Sequence, residues 1–209
     1  MKRNTRQEIL NVAKAMFNQK GFNAVSTSDI SQSLGLSKGN LTYYFKKKEH
    51  ILEAILMEMP SAIPLEAPTN LLELNTFFQD MQQVVQENSF YFWHHAQLSQ
   101  LSSKIHEMQV KMYQTNVDKL SRAFRTLQDN GLIRKEDFQG EYEYLIDTLL
   151  LTAIYWIPFC ELRQVQQPNS MPDLHCREWN ILSSLLTDKG KASLISIFSL
   201  PLPFSLPPG

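Results

Sequence analysis

The chain has 209 residues, 43% of them hydrophobic, and a formal net charge of −1. This is enough to bury a core in one large domain, or in a small domain joined to a larger one. The longest apolar run, residues 149–160, is too short to cross a bilayer and is interrupted by Thr152, which excludes a membrane span there. The charge is unevenly spread. Residues 1–50 carry nine Lys and Arg against Glu8, Asp29 and Glu49, a net of +6, so the remainder carries −7. A basic head on an acidic body points to a polyanionic partner at one end only.

Taken in order, the first predicted helix opens with a capping box of Thr5 and Glu8. Ile9, Val12, Ala13, Met16 and Phe17 then form one apolar stripe, and Gly21 ends it with a left-handed cap that folds Phe22 back on Phe17. Ser26 caps a second helix with Asp29 as the reciprocal acid, and Ile30 and Leu34 supply its buried face. Gly35 permits a tight turn, and Ser37 caps a third helix running to Tyr44 or Phe45. At 100° per residue, Leu41, Tyr44 and Phe45 cluster on one side of it, while Gly39, Thr42, Tyr43 and Lys46 face away. A helix this short must be held by its apolar side. What it presents outward is small, hydroxylated, aromatic and basic, which suits a DNA major groove. A fourth helix has Ile51, Leu52, Ile55, Leu56 and Met59 inward and stops at Pro60.

Residues 60–69 hold three prolines and read as a domain boundary. Beyond them helical patterns run over about 69–87, 89–102, 103–129, 138–165 and 174–187, with another near 191–199. No useful strand pattern or internal repeat appears. The expected fold is all-α: a head over 1–48 with a connecting helix over 48–59, a helical body over 60–200 and a proline-rich tail over 201–209. Residues 145–159 are apolar nearly all round, so this helix needs cover on more than one side. A second copy of the chain supplies it most simply, with Leu145, Leu149, Ile154, Trp179, Leu182 and Leu186 at a four-helix homodimer interface. Pro158 is expected to kink or end the helix. Cys160 and Cys176 are expected as reduced, buried thiols. Met1 leads directly into a charged, capped helix, which reads as a cytoplasmic protein without a signal peptide.

The run from Thr5 to Met59 resembles the DNA-binding domain of the TetR (tetracycline-repressor-like) family of bacterial transcription regulators. The resemblance is carried by Ile9 to Phe22 (IL-x-x-A-x-x-M-F-x-x-K-G-F), Ser26 to Ile30 (S-x-x-D-I), and LGLSKGNL-x-YYF followed by KKEHIL. It implies that Lys38, Thr42, Tyr43 and Tyr44 contact double-stranded operator DNA, with Gly39 allowing close approach. It also implies that Ser26, Thr27, Ser28 and Lys48 clamp phosphates. Two positions depart from the family pattern: Thr42 stands where Tyr is usual, and Lys47 where a small capping residue is usual. Lys2, Arg3 and Arg6 resemble basic arms that reach a minor groove or phosphates.

The resemblance further implies a small-molecule effector site in the body, for which Phe78, Trp93, Met112, Asn116, Thr152 and Tyr155 are the candidates. Binding there would move the fourth helix, change the spacing of two heads on a palindrome, and release a repressor. The competing reading is a helical ligand-binding or interaction protein whose head does not bind DNA specifically. No cofactor is expected. His94, His95, His106 and the His175-Cys176 pair lack metal-ligand spacing, and no nucleophile elbow, phosphate loop or paired carboxylates point to an enzyme.

Overall fold

A computed structural model describes residues 4–59, 66–164 and 173–199. The basic arm at Lys2 and Arg3, the stop at Pro60 with the linker to residue 65, and the tail over 201–209 lie outside the described residues. The fold is all-α, with an amino-terminal helix-turn-helix followed by further helices. Its helices are α1 (Thr5–Lys20), α2 (Thr27–Ser33), α3 (Lys38–Tyr44), α4 (Lys48–Glu58), α5 (Leu71–Glu87), α6 (Ser89–Trp93), α7 (His95–Leu98), α8 (Ser103–Asp129), α9 (Glu141–Ile154), α10 (Trp156–Gln164), α11 (Leu174–Leu182) and α12 (Asp188–Ser199). Among the described residues the only extended pairing is an isolated bridge between Ile133 and Leu186.

Two compact units form. The first draws on the described residues within Met1–Ala62, Gln83–Tyr113 and Ile154–Met171, the second on those within Ile63–Gln82, Gln114–Ala153 and Pro172–Gly209.

In the first unit α1 packs against α2, α4 and α6. Ile9, Leu10, Ala13 and Phe17 of α1 are buried with Ile51, Leu52, Ile55 and Leu56 of α4. The cap of α1 lies one residue earlier than the sequence suggests. Asn4 accepts from the Gln7 N–H and the Asn4 carbonyl accepts from Glu8, because Thr5 is already helical. Gly21 does carry the positive φ, +81°, but with ψ of 151° the chain leaves extended rather than in a left-handed turn. Phe22 nevertheless returns to Phe17, ring centroids 5.1 Å apart. The aromatic run from Phe90 joins the same core, with Phe90 at 5.4 Å from Phe17. Asn18 of α1 fixes that junction, accepting from the Phe90 N–H and the Ser89 hydroxyl and donating to the Glu87 carbonyl. The expected helix over 89–102 is therefore two short ones, broken at His94 (φ −108°, ψ 15°).

In the second unit Leu71, Leu74, Phe77, Phe78, Leu120, Phe124, Leu127, Leu149 and Trp179 are buried. The α8 boundaries are those the sequence predicts. The helix expected over 138–165 is divided at Tyr155, one turn before Pro158, which has no N–H for the Ile154 carbonyl and whose ring would clash with it, so the proline ends the helix as expected. Pro158 falls in the first turn of α10, where its missing N–H costs no helical bond. Gly190 explains why α12 begins before residue 191. A Cβ there would lie 2.0 Å from the Leu132 carbonyl oxygen, so only glycine lets that helix start so close to the neighbouring backbone.

Candidate nucleic-acid interface

The helix-turn-helix is built from local signals that all point one way. Ser26 and Asp29 close a reciprocal capping box: the Ser26 N–H donates to the Asp29 carboxylate at 2.8 Å, and the Asp29 N–H donates to Ser26 Oγ at 3.2 Å. The hydrogen bonds from the Ser26 hydroxyl and N–H hold the Asp29 carboxyl below the usual range. Gly35, φ +64°, turns the chain, while the Leu36 N–H returns to the Ser31 carbonyl at 2.9 Å. Ser37 Oγ then accepts the Asn40 N–H and starts α3. Leu41 is fully buried, Phe45 is 5% exposed, and the Arg6 guanidinium lies 5.5 Å from the Phe45 ring centroid.

The opposite side of α3 is open. Tyr43 is 83% exposed, and Lys38, Gly39, Asn40, Thr42, Lys46 and Lys47 are exposed with it. Tyr44, counted on the inner side by helical rotation, is 38% exposed and meets Tyr43 edge to face at 5.2 Å, so it sits at the border of the two sides. No atom lies within 4 Å of a Cβ built on Gly39, and its φ is not positive. A helical glycine is less stable than alanine by about 1 kcal/mol. Nothing among the described residues requires glycine at this position. Asn40 belongs to this face, three residues before Tyr43, although the sequence analysis passed over it. Its signal was the i, i+3 spacing.

Three side chains are more committed than the resemblance implies. Lys48 donates to the Phe22 and Val25 carbonyls at 2.8 and 2.9 Å and lies 4.2 Å from the Phe22 ring centroid. Burial pushes its ammonium below the usual lysine range. It ties the start of α4 to the loop before α2, using two of the three N–H donors of the ammonium within the fold. The Ser26 hydroxyl donates to Asp29 at 2.7 Å and accepts from the Asp29 N–H, so its hydrogen is used within the capping box. The Thr42 hydroxyl donates to the Lys38 carbonyl at 2.8 Å. Ser28 is exposed and Thr27 half-buried at the start of α2. Lys47 occupies the N-cap position of α4 without a side-chain cap bond, leaving the first N–H groups of that helix uncapped by it.

Residues 9–55 match the sequence pattern of the family described as "Bacterial regulatory proteins, tetR family". The head of the chain is of TetR type. It is 45% identical over 53 residues to the HTH-type transcriptional regulator QacR of Staphylococcus aureus, covering 25% of this chain and 28% of that one. The chain thus spans little more than a quarter of that relative's length. The fold match runs further. A TetR-family transcriptional regulator from Marinobacter aquaeolei VT8 superposes with a TM-score of 0.80 over 93% of this chain and 97% of its own, at 20% identity. The SmeT–triclosan complex superposes with a TM-score of 0.62 over 99% of this chain and all of its own, also at 20% identity.

Outside the TetR-type head, the six effector candidates divide between the two units: Trp93, Met112 and Tyr155 in the first, Phe78, Asn116 and Thr152 in the second. Phe78 is fully buried against Trp179, ring centroids 5.5 Å apart, and is core. Trp93 and Tyr155 are exposed, and the Thr152 hydroxyl donates to its own helix at Thr148. Phe90, Tyr91 and Phe92 are core, and burial pushes the Tyr91 phenol up to about 12. A cavity of about 410 Å³ does exist, but none of the six lines it; its walls are Leu10, Asn11, Lys14, Ile55, Glu58, Met59, Val84, Glu87 and Asn88.

The dimer candidates need a similar correction. Leu149, Trp179, Leu182 and Leu186 are buried within one chain and have no surface to offer a partner. Leu145 and Ile154 are half-buried. Among the described residues of the second unit, Leu72, Phe138, Tyr144, Leu151 and Ile195 are the large apolar side chains left exposed. Cys160 is buried as expected, whereas Cys176 is exposed. The ligand atoms of Asp173, His175 and Cys176 come within 4.8 Å of one another, closer than their spacing suggested. Two of them already have structural partners: Asp173 caps α11 at the Cys176 N–H, and His175 Nε2 bonds Asn75 Oδ1 at 2.7 Å. Among the described residues no single helix is long and apolar enough to cross a membrane.

Proposed function

We propose that the protein is a cytoplasmic transcriptional repressor that binds duplex operator DNA through the outer face of α3. The observation that carries this is the contrast across one seven-residue helix: Leu41 has no exposure and Tyr43 has 83%. Lys38, Gly39, Asn40, Thr42, Tyr43 and Tyr44 form the base-reading and close-approach face. An asparagine can pair bidentately with adenine, which gives Asn40 a reading role. Thr27, Ser28, Lys46 and Lys47 supply phosphate contacts that set register and affinity. Two heads on a homodimer read a palindrome, with Tyr144, Leu151 and Ile195 as the dimer face. A small-molecule effector releases the DNA by a coupling of about 1–3 kcal/mol; the triclosan bound to the SmeT relative supports that part of the reading.

Fluorescence anisotropy with duplex from the region flanking the protein's own gene tests this. Binding is expected to be saturable and salt-dependent, and stronger than to a scrambled duplex. Lys46→Ala should weaken all sequences alike and lower the salt slope by about one ion. Tyr43→Ala should alter sequence preference. Equal, weak binding to every duplex would favour the ligand-binding or interaction protein without specific DNA recognition. Leu151→Glu should give a monomer by light scattering; a dimer surviving it would remove α9 from the interface.

A further inference from the structure

Three kinds of metal ligand meet where α11 begins. The ligand atoms of Asp173, His175 and Cys176 all lie within 4.8 Å of one another. With bonds of about 2.0–2.3 Å, the ligands of a tetrahedral zinc ion sit about 3.3–3.8 Å apart, so small side-chain rotations close this set on one ion. Asp173 and Cys176 are exposed, and His175 is 7% exposed. The internal partners of the cluster orient it without consuming it. Asp173 Oδ1 caps the Cys176 N–H at 3.5 Å, which takes one of about four lone-pair positions on a carboxylate. The tautomer of His175 follows from two contacts. Trp179 Nε1 can only donate, so Asn75 Oδ1, 2.9 Å away, is its acceptor. The same oxygen lies 2.7 Å from His175 Nε2, which must therefore carry the ring proton. Nδ1 is left with the lone pair. A histidine ligates a metal in this state, with its other ring N–H held by a protein oxygen.

A separate observation points the same way. Glu178 is 2% exposed, and its Oε2 has no hydrogen-bond partner among the described residues. Its carboxyl is close enough to Asp173 for the two to repel. A buried carboxylate ordinarily has an opposite charge, a donor or a metal beside it. We infer that Asp173, His175 and Cys176 bind one zinc-type divalent cation at the start of α11. Carboxylate oxygen, imidazole nitrogen and thiolate sulfur together suit zinc and its transition-metal neighbours, whereas magnesium and calcium take oxygen ligands. On binding, the Cys176 thiol gives its proton to solvent and its sulfur takes up the metal. A helix start carries roughly half a positive charge, which opposes a cation, and the two anionic ligands outweigh it. Three protein ligands leave a fourth position for water. The ion pins the first turn of α11 and brings a positive charge near Glu178. The site is separate from the outer face of α3, and its test does not depend on DNA binding.

Cobalt(II) titration of the reduced, untagged full chain tests the inference. A cobalt–thiolate bond absorbs in the near ultraviolet, and tetrahedral cobalt absorbs in the visible. One equivalent per chain is expected to saturate both bands; zinc should then bleach them, and excess magnesium should leave them. Cys176→Ser should abolish the near-ultraviolet band. Asp173→Asn keeps a capping side chain, so it should weaken cobalt at least about tenfold while the metal-free melting temperature stays nearly unchanged. Zinc should raise the melting temperature of the wild type and not that of Cys176→Ser. Three results would overturn the proposal: no saturable band, a near-ultraviolet band that survives Cys176→Ser, or a cobalt affinity indifferent to Asp173→Asn.

Discussion

Tyr43 on α3 and Trp179 on α11 are both large aromatic side chains on helices of fewer than ten residues, and the chain uses them in opposite ways. Tyr43 is 83% exposed among glycine, amide and lysine neighbours, and the core asks nothing of it. Trp179 is 5% exposed, donates Nε1–H to Asn75 Oδ1 at 2.9 Å, and packs its edge on Phe78. The same Asn75 oxygen meets His175 Nε2, so one buried amide satisfies two ring nitrogens. The difference is a rule for finding function here. Side chains with internal partners belong to the fold, and an ordered face without them awaits an external partner.

That contrast can be broken most forcefully at Trp179. Trp179→Ala should cost about 3–5 kcal/mol by urea unfolding, as a large buried ring is lost and Asn75 loses a donor. A cost under 1 kcal/mol would return Trp179 to a surface role. Lys48→Ala comes next, at about 1–3 kcal/mol, because two carbonyls lose a charged donor. If stability is unchanged and only DNA affinity falls, Lys48 is a phosphate contact after all.

Glu178 sharpens the rule by violating it. The side chain is buried, its Oε2 has no partner, and burial holds the carboxyl well above its usual range. A raised folded-state value means stability is fully present below the ordinary carboxyl range and is lost as pH rises through the raised one. Glu178→Gln should therefore match the wild type near pH 4 and exceed it by about 1 kcal/mol at pH 8. Parallel melting curves across that range would contradict the assignment. Glu141 has the opposite sign. A two-pronged bond from Arg134, at 2.9 and 2.7 Å, and the Asp137 N–H hold it down to about 2. Its stabilisation is present above the ordinary value of 4.5 and is lost as pH falls toward 2. Glu141→Gln should flatten that acid limb by a small amount.

The head was legible because its determinants are local. Ser26 with Asp29, Gly35 and Ser37 each act within five residues, and the helical rotation that buried Leu41 also exposed Tyr43. Asn4 was missed as the cap because Asn and Thr at adjacent positions both qualify. The body was legible as helices but not as surfaces. A run apolar all round does not say which side its own chain covers: Leu149 is 2% exposed and Leu151, two residues on, is 59% exposed. The break at Tyr155 was announced by Pro158, four residues after the Ile154 carbonyl it leaves unbonded. The cavity was invisible because it joins residues 10–14, 55–59 and 84–88, which only the folded α1, α4 and α5 bring together.

The claim that α3 is shaped for something outside the chain is tested most directly by Gly39→Ala, measured for stability and for DNA affinity in the same preparation. Free of steric contact, the alanine should raise stability by up to about 1 kcal/mol. It should also weaken binding to the flanking duplex at least about tenfold, since its methyl group would occupy the space of close approach. A variant that gains stability and binds the duplex as well as the wild type would contradict the account.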